Sequence, residues 1–219
     1  DLKDGMELEG TVTNVTNLRT LLNLDKSASL FGQFSYDYDG KYLLSGVLRR
    51  DGFSNFAPNR KFAIFPSLSA GWNIHRESFW NVPVISTLKL RGSWGQAGSR
   101  DLNITDTYGD YNANVYAQQP GILRASLANP NLKWETTQTA DLAIDASFFK
   151  NRIDLTLEVY NKLTKDRLDA KPLPLESPFS SIVYNNGTLQ NKGIEIGLSA
   201  TVLSNKNFNW RTSFSFAYN

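Results

Sequence analysis

The sequence predicts an all-β chain: an antiparallel, up-and-down transmembrane β-barrel, of which this chain supplies about eight strands as part of a larger wall. Segments of about ten residues alternate apolar and polar side chains, which is typical of strands with two different faces. Aromatic residues stand near the ends of these segments, and the connections between them are short and long in turn.

Composition narrows the classes of protein to consider. The chain has 219 residues, of which 41% are hydrophobic, and a formal net charge of +2. This balanced charge argues against a nucleic-acid partner, and the absence of cysteine excludes disulfides and thiolate metal sites. No stretch approaches the roughly 18 apolar residues of a membrane helix. The mean hydropathy of −0.36 alone would suggest a soluble protein, but half of each barrel strand faces a polar interior.

The clearest hairpin spans residues 140–161. Apolar and polar positions alternate on both limbs, and a two-residue turn is expected at Lys150 and Asn151. If Phe149 pairs with Arg152, Phe148 faces Ile153, and the apolar side chains of both limbs fall on one face and the acids on the other. Each limb reaches the roughly 9–11 residues that a tilted strand needs to cross a bilayer. The side chains expected to face lipid, here and on a later strand, are Leu142, Ile144, Leu155, Leu157, Ile194, Ile196 and Leu198.

The same alternation predicts the other strands. They are expected at 29–38, 42–50, 65–74, 87–96, 194–202 and 208–218. A three-residue link at 39–41 brings the first two into phase, with Gly40 supplying a positive φ, and one helical turn is expected near 77–80. Residues 1–28 are interpreted as an extracellular loop or weak strand, and 29–219 as the partial barrel wall. Long loops are expected at 51–63, 97–132 and 162–186.

The lengths of the connections predict an orientation. In outer-membrane barrels the short turns are periplasmic, the long loops are extracellular, and aromatic residues form girdles at both interfaces. The girdle residues expected here are Tyr38, Trp72, Phe148 and Trp210 at the periplasmic end, with Trp94, Trp134 and Tyr160 at the outer end. The chain lacks an initiator Met and stops within a strand pattern, so we expect an internal piece of a longer protein.

Charged residues on the non-lipid phase are expected to line the lumen. They are Lys89, Arg91, Asp141, Asp145, Asp154 and Glu158. Two carboxylates at a set spacing can form a glycosidase site, but the polar interior of a barrel explains these acids without catalysis. His75 is the only histidine and has no second imidazole or cysteine to act with. We therefore expect no enzymatic activity, no metal and no cofactor.

Three tyrosines in the longest predicted loop, Tyr108, Tyr111 and Tyr116, are candidates for contact with a ligand. Their rings could stack on sugars or touch a protein that covers the barrel. They could equally pack against one another.

Seven short motifs, in order along the chain, carry a resemblance to a known family. They are YDGKYLL (38–44), RRDG (49–52), FPS with GW (65–67, 71–72), LKLRGSWG (88–95), NPNLKWE (129–135), PLP (172–174) and NKGIE (191–195). Together they resemble the barrel of the SusC/RagA family of TonB-dependent outer-membrane transporters. Phe53, where the family more often has a small polar residue, and the first 28 residues depart from the pattern.

The resemblance implies more than the residues themselves do. It implies a barrel of about 22 strands plugged by an N-terminal domain. It also implies a SusD-like surface lipoprotein as a lid, and uptake of glycans, oligosaccharides or peptides driven through TonB. The plug and the TonB box are expected to lie outside this chain.

Other classes compete with a transporter. About eight strands could close as a small OmpA-like barrel with a structural or adhesive role. An outer-membrane enzyme would need a nucleophile or base that the sequence does not display. A soluble β-sandwich module should have shorter strands and no aromatic girdle.

Overall fold

The computed structural model describes residues 25–116 and 119–219; the expectation for residues 1–24 lies outside them. Ten strands, one α-helix and one 3₁₀ turn make up the described fold. The strands are β1 (Ser27–Tyr38), β2 (Tyr42–Phe53), β3 (Phe62–Asn73), β4 (Ile85–Ser99), β5 (Asp110–Tyr116), β6 (Gln119–Ser126), β7 (Glu135–Phe148), β8 (Ile153–Pro172), β9 (Ser181–Ser204) and β10 (Asn209–Tyr218). The 3₁₀ turn spans Ile74–Arg76 and α1 spans Ile104–Tyr108. No helix among the described residues is long and apolar enough to cross a membrane.

Eight strands form one antiparallel sheet in the order β1-β2-β3-β4-β7-β8-β9-β10, so each strand pairs with the next strand of the wall. The prediction of an up-and-down, all-β wall is confirmed. Within the described residues β1 and β10 are the two edges of this sheet. The sheet is therefore open, and residues 25–116 and 119–219 do not form the small closed barrel that was the alternative.

The register predicted for the 140–161 hairpin is confirmed. Phe148 pairs with Ile153, and Ile144 pairs with Leu157. The turn differs from the prediction, because it is a four-residue link in which the Arg152 N–H donates to the Phe148 carbonyl at 3.0 Å. The N–H of Phe149 is taken by the carbonyl of Val84 at 2.9 Å, which removes the expected pair of Phe149 with Arg152.

The first predicted turn is confirmed as a three-residue link. Tyr38 pairs with Tyr42, and the Lys41 N–H donates to the Tyr38 carbonyl at 2.9 Å. Asp39 and Gly40 have φ of +53° and +60°, the left-handed region in which glycine carries no steric cost.

Two of the predicted connections are wrong. β8 and β9, of 20 and 24 residues, continue through most of the segment predicted as a loop at 162–186. The segment 97–132 holds α1 and a hairpin of β5 and β6, which pair only with each other among the described residues. Near 77–80, where one helical turn is expected, a single turn is closed by the Trp80 N–H, which donates to the Glu77 carbonyl at 3.0 Å, and it directly follows the 3₁₀ turn at Ile74–Arg76.

A hydrophobic core lies at the long-loop end of the sheet. We call it the rim cluster: Phe53, Phe56, Phe65, Leu102, Leu132 and Trp134. Trp134 stacks on Phe56 and is only 7% exposed, so its assignment to the outer girdle is wrong. Phe56 comes from the β2–β3 link, so the cluster joins that link to the segment before β7.

Candidate functional site

The register divides the eight-stranded sheet into two faces of different chemistry. Odd-numbered positions of β7 carry Asp141 and Asp145, and their neighbours on β4 are Ser93 and Lys89. Even-numbered positions of β7 carry Leu142 and others that pair with apolar residues of β8. Since alternate side chains of a strand point to opposite sides, one face is polar and the other apolar. The polar face is the candidate functional site.

Arg91 of β4 is the centre of an ion-pair network on the polar face. Its Nε lies 2.9 Å from Asp145 Oδ2 on β7, and its Nη2 lies 2.8 Å from Glu158 Oε2 on β8. The Thr156 hydroxyl donates to the other oxygen of Asp145 at 3.0 Å. The three charged side chains are 35%, 33% and 27% exposed, so the network is half-buried. It ties three strands together through side chains as well as backbone.

A second network surrounds Asp154 at the short-turn end of β8. Its carboxylate accepts from the Ser147 hydroxyl at 2.8 Å and from Arg211 Nη2 at 3.2 Å. Arg211 also donates to the Ser199 hydroxyl at 3.0 Å. This network connects β7, β8, β9 and β10 in the way that the Arg91 network connects β4, β7 and β8.

Lys89 and Glu195 of the polar face stand apart from these networks. Lys89 lies opposite Asp145 in the register, but the structure shows no ion pair for it in the described residues. Glu195 of β9 lies directly opposite Glu158, which places two like charges side by side. The six side chains expected to line a lumen therefore share one face. Among the described residues Lys89 and Asp141 are the two members without an ion pair, and Asp141 instead accepts a hydrogen bond from the Ser93 hydroxyl at 2.5 Å.

The apolar face carries the seven side chains expected to face lipid. Leu142, Ile144, Leu157, Ile194 and Leu198 are 39% to 51% exposed, although they are large and hydrophobic. By their register Tyr38, Trp72, Phe148 and Trp210 lie at the short-turn end of this face. Trp94 is on the same face but inside β4, where it pairs with Leu68 and Ala140. Tyr160 lies on the polar face opposite Asp141, so its assignment to the outer girdle is wrong.

At the short-turn end, the carboxylate of Glu77 accepts hydrogen bonds from two stacked aromatic side chains, Tyr42 and Trp72. Tyr42 stacks on Trp72, with ring centroids 6.3 Å apart. The Tyr42 hydroxyl and the Trp72 indole N–H donate to Glu77 Oε1 at 2.7 and 3.0 Å, and Lys41 Nζ lies 3.6 Å from Oε2. The hydrogen bonds from Tyr42 and Trp72, together with the Lys41 charge, hold the pKa of Glu77 below its ordinary value.

Side-chain hydrogen bonds also organise the long-loop end. Asn185 of β9 accepts from the Lys133 N–H at 2.9 Å and donates to the Lys133 carbonyl at 2.8 Å. Lys133 Nζ lies 3.0 Å from Asp166, and Asn129 donates to the Val183 carbonyl at 2.9 Å. The NPNLKWE motif is thus bound to the extended β8–β9 hairpin.

The polar face offers charged and hydrogen-bonding side chains. Among the described residues, no group of three or more His, Cys, Asp or Glu side chains is placed to hold a metal ion. The His75 ring nitrogen Nδ1 lies 3.1 Å from the Leu88 carbonyl, so the histidine links the 3₁₀ turn to β4. Asp145 and Glu158 are engaged by Arg91, which suits a polar wall better than an acid–base pair.

A family model described as "TonB dependent receptor-like, beta-barrel" matches residues 10–219. The chain belongs to this TonB-dependent receptor family. It is a family of outer-membrane β-barrel proteins that act as receptors and transporters. Membership agrees with the open, two-sided antiparallel sheet.

Individual relatives of this TonB-dependent receptor chain support the same family assignment. TonB-dependent receptor P3 of Formosa agariphila is 38% identical, over 90% of this chain and 20% of the relative. TonB-dependent receptor SusC of Bacteroides thetaiotaomicron is 33% identical, over 87% of this chain and 20% of the relative. The RagAB peptide importer in its closed-closed state superposes with a TM-score of 0.81 at 27% identity, covering 88% of this chain and 21% of that one. The chain spans about a fifth of the length of the relatives it matches.

The three candidate tyrosines of this TonB-dependent receptor chain are spread along α1 and β5. The Tyr108 hydroxyl donates to the Phe56 carbonyl at 3.3 Å, which fixes it to the rim cluster. Tyr111 is 58% exposed, with the Arg124 guanidinium 5.8 Å from its ring centroid. Tyr116 is the last residue of β5. Of Tyr108 and Tyr111, the latter has the freer ring.

Sequence reasoning missed four residues: Glu77, Asn185 and Arg211, which belong to these hydrogen-bonded networks, and Glu195, which lies on the polar face opposite Glu158. Glu195 could have been found, because it alternates with Ile194 and Ile196 and so must share the face of the acids. Arg211 follows Trp210 on the opposite phase and could have been assigned in the same way. Glu77 and Asn185 act across turns and loops, where period-2 alternation gives no face.

Proposed function

We propose that the whole protein is an outer-membrane transporter and that this chain forms eight strands of its barrel wall. The observation that carries the proposal is the division of one continuous sheet into a polar and an apolar face. The charged networks of Arg91 and Asp154 then line the lumen, while large exposed side chains such as Ile144 and Leu157 face lipid. Residues 29–219 make up the partial wall, and the plug and the other strands come from the rest of a longer protein.

The proposed cargo is a glycan, an oligosaccharide or a peptide. Family membership supports uptake driven through TonB, and the likeness to SusC and to the RagAB peptide importer supports these cargo classes. A SusD-like lipoprotein is the proposed partner at the outer surface. The proposed contacts with cargo or lipoprotein are Tyr108, Tyr111 and Tyr116, of which Tyr111 is markedly exposed.

The proposed orientation places the short turns in the periplasm and the long loops outside. The rim cluster and the hairpin of β5 and β6 lie at the long-loop end, where an extracellular surface would receive cargo. Tyr38, Trp72, Phe148 and Trp210 then form the periplasmic girdle, and Trp94 contributes to the outer one.

Orientation can be tested in living cells by single cysteines, because the chain contains none. Leu175 lies in the link between β8 and β9, at the long-loop end of the sheet, and is fully exposed. Lys206 is exposed in the short turn between β9 and β10. In the full-length protein, Leu175→Cys should react with a membrane-impermeant maleimide on intact cells, and Lys206→Cys only after the outer membrane is opened. The reverse pattern would overturn the orientation.

Transport can be tested by deleting the full-length gene in its host and restoring it on a plasmid. Uptake of a dye-labelled oligosaccharide mixture is compared with uptake of a dye-labelled peptide digest, with and without a protonophore. We expect one of the two cargoes to depend on both the gene and the proton-motive force. Equal uptake of both cargoes with and without the gene would contradict the proposal.

A further inference from the structure

A depression of about 530 Å³ lies on the polar face, where β1 to β4 and β7 run side by side. This volume is within the roughly 300–1,000 Å³ of sites for small molecules. Its lining includes serines, the carboxylates of Asp37 and Asp141, and two cations, Arg91 and Lys89. Among the described residues, Leu43 is the one large aliphatic side chain that lines it from the polar face. The depression therefore suits a polar ligand.

A row of hydroxyl groups crosses the depression at one level of the sheet. Ser35, Ser45, Ser69 and Ser93 pair in turn across β1, β2, β3 and β4, and we call these four residues the serine row. Neighbouring strands are about 4.8 Å apart, so the row extends over about 14 Å. The Ser45 and Ser69 hydroxyls lie 2.6 Å apart, and the Ser93 hydroxyl donates to Asp141 at 2.5 Å. The row thus offers several groups that both donate and accept hydrogen bonds.

Lys89 of β4 extends toward the serine row and away from the acid that faces it. In the register it lies between Asn73 of β3 and Asp145 of β7. Its Cε lies 3.3 Å from the position that a Cβ would take at Gly71 of β3, the next position toward Ser69 on this face. Because β3 and β7 flank β4 on opposite sides, a side chain that crosses Gly71 points away from Asp145.

The charge of Lys89 meets no carboxylate among the described residues. Asp145 is paired with Arg91 at 2.9 Å, and Asp37 accepts the Gly40 N–H at 2.6 Å. Lys89 is half-buried, and a charge that is partly removed from water without a partner lowers stability. An anionic group bound in the depression would compensate this charge.

The side chains of the depression identify the class of ligand. Sugar hydroxyls donate and accept hydrogen bonds, as the hydroxyls of the serine row do. Peptide recognition generally uses pockets for side chains, and Leu43 alone gives the depression little apolar surface. A transported ligand must also leave its site, which favours hydroxyls and one cation over a large apolar pocket. The geometry therefore favours a sugar that carries a negative charge.

We propose that this depression binds an acidic oligosaccharide during transport, with a sugar carboxylate at Lys89 and sugar hydroxyls along the serine row. The assignment rests on the proposed function, because it takes the polar face to line the cargo path. It narrows the cargo to oligosaccharides that carry a carboxylate. A neutral glycan would leave the Lys89 charge without a partner, and a peptide would not use the row of hydroxyls.

The test uses the full-length protein in dodecyl maltoside, with three probes that separate charge from sugar chemistry. Trigalacturonate carries carboxylates, its methyl ester has the same rings without the charges, and triglutamate has the charges without the rings. Isothermal titration calorimetry measures the Kd of each probe on the wild type, on Lys89→Met and on the matched control Lys162→Met. Lys162 is an exposed lysine of β8 on the polar face and lies outside the depression.

We expect the wild type and Lys162→Met to bind trigalacturonate about tenfold more tightly than its methyl ester, since a hydrogen bond to a charged group contributes on the order of that factor. Triglutamate should also bind more weakly than trigalacturonate. Lys89→Met should bind the acid and the ester alike. Ser69→Ala, which keeps the lysine, should weaken both sugars by about threefold and leave triglutamate unchanged, and it serves if Lys89→Met does not fold.

Four results would overturn the proposal. The first is equal binding, or no binding, of the acid and the ester by the wild type. Equal losses in Lys89→Met and Lys162→Met would assign the effect to the overall charge of the wall. Tighter binding of triglutamate than of trigalacturonate would favour an acidic peptide. A carbodiimide cross-link from Lys89 to an Asp or Glu outside this chain, mapped by tryptic mass spectrometry, would show that another segment of the protein holds the lysine.

Failure of this proposal is distinguishable from failure of the proposed function. If uptake of neither labelled cargo depends on the gene, the transporter itself is contradicted. If uptake of the labelled oligosaccharides depends on the gene but the acid and the ester bind alike, only the site at Lys89 is overturned. If peptide uptake alone depends on the gene, transport stands and the acidic sugar is overturned.

Discussion

The indole of Trp134 stacks on the ring of Phe56, with centroids 5.0 Å apart and planes inclined by 24°. Phe56 is fully buried in the link between β2 and β3, and Trp134 directly precedes β7. The two residues are far apart in sequence, so their contact joins two loops at the long-loop end. The rim cluster therefore gives the long-loop end a core of its own, independent of lipid.

Replacing Phe56 with Ala should loosen the outer loops without opening the barrel. Truncation of a buried Phe removes about 3–5 kcal/mol of packing energy. Hydrogen exchange of the full-length protein should therefore show lost protection in segments 54–61 and 100–134, with β7 and β8 protected as before. Phe34→Ala, on the exposed apolar face, is the control and should leave these segments unchanged. Unchanged exchange in Phe56→Ala would show that the cluster does not hold the loops.

Removing the charge at Arg91 should destabilise the wall, because Asp145 and Glu158 would keep their charges without a partner. The side chains are about one-third exposed, so the cost lies between those of surface and buried pairs, at about 1–2 kcal/mol for Arg91→Met. Urea unfolding in detergent, followed by tryptophan fluorescence, measures it. In Arg91→Met combined with Glu158→Gln the loss should be smaller than the sum of the single losses. Additive losses would show that the pair is not coupled.

The alternation of side chains predicted most of the wall because each limb offered one apolar and one polar phase. The pairing of Ile144 with Leu157 could be predicted for this reason, since a slip by one residue would turn the acids to the apolar side. The three-residue turn at Gly40 followed from the same requirement, because only that length puts Tyr38 and Tyr42 on one face.

The outer end could not be predicted in this way. Residues 167–172 of β8 alternate charged side chains with Leu168, Ala170 and Pro172, but two register shifts between Thr164 and Leu168 break the phase with the preceding part of the strand. The segment therefore resembles a loop although it pairs with β9. Its pairing depends on backbone hydrogen bonds and on Asn185, which no periodic pattern reveals. Trp134 stands one residue before β7, where alternation assigns no face, and its partner Phe56 lies in a loop. Contacts of this kind join segments that are distant in sequence, so no local pattern in the sequence reveals them.

A positive charge placed among the lipid-facing residues should be costly. Ile196→Arg near the middle of β9 should destabilise the full-length barrel by about 2–4 kcal/mol, because arginine at the midplane must leave water. Ser215→Arg on the polar face of the neighbouring β10 is the matched control and should cost less than about 1 kcal/mol. Unfolding in lipid vesicles by denaturant measures both variants. Equal destabilisation by the two substitutions would mean that both faces of the sheet contact the same medium.

The acid sensitivity of the short-turn end should depend on Glu77. Its pKa is lowered in the folded protein by the hydrogen bonds from Tyr42 and Trp72, so the unfolded chain takes up the proton at a higher pH than the folded one does. The stabilisation is therefore present above the ordinary value of 4.5 and is lost as the pH falls through the lower folded value. Glu77→Gln should be less stable than the wild type at pH 7, and the difference should shrink below about pH 4. Urea unfolding of both proteins at a series of pH values measures this difference, with Glu176→Gln in an exposed link as the control. A difference that stayed constant from neutral to acidic pH would show that the Glu77 charge does not fasten this turn.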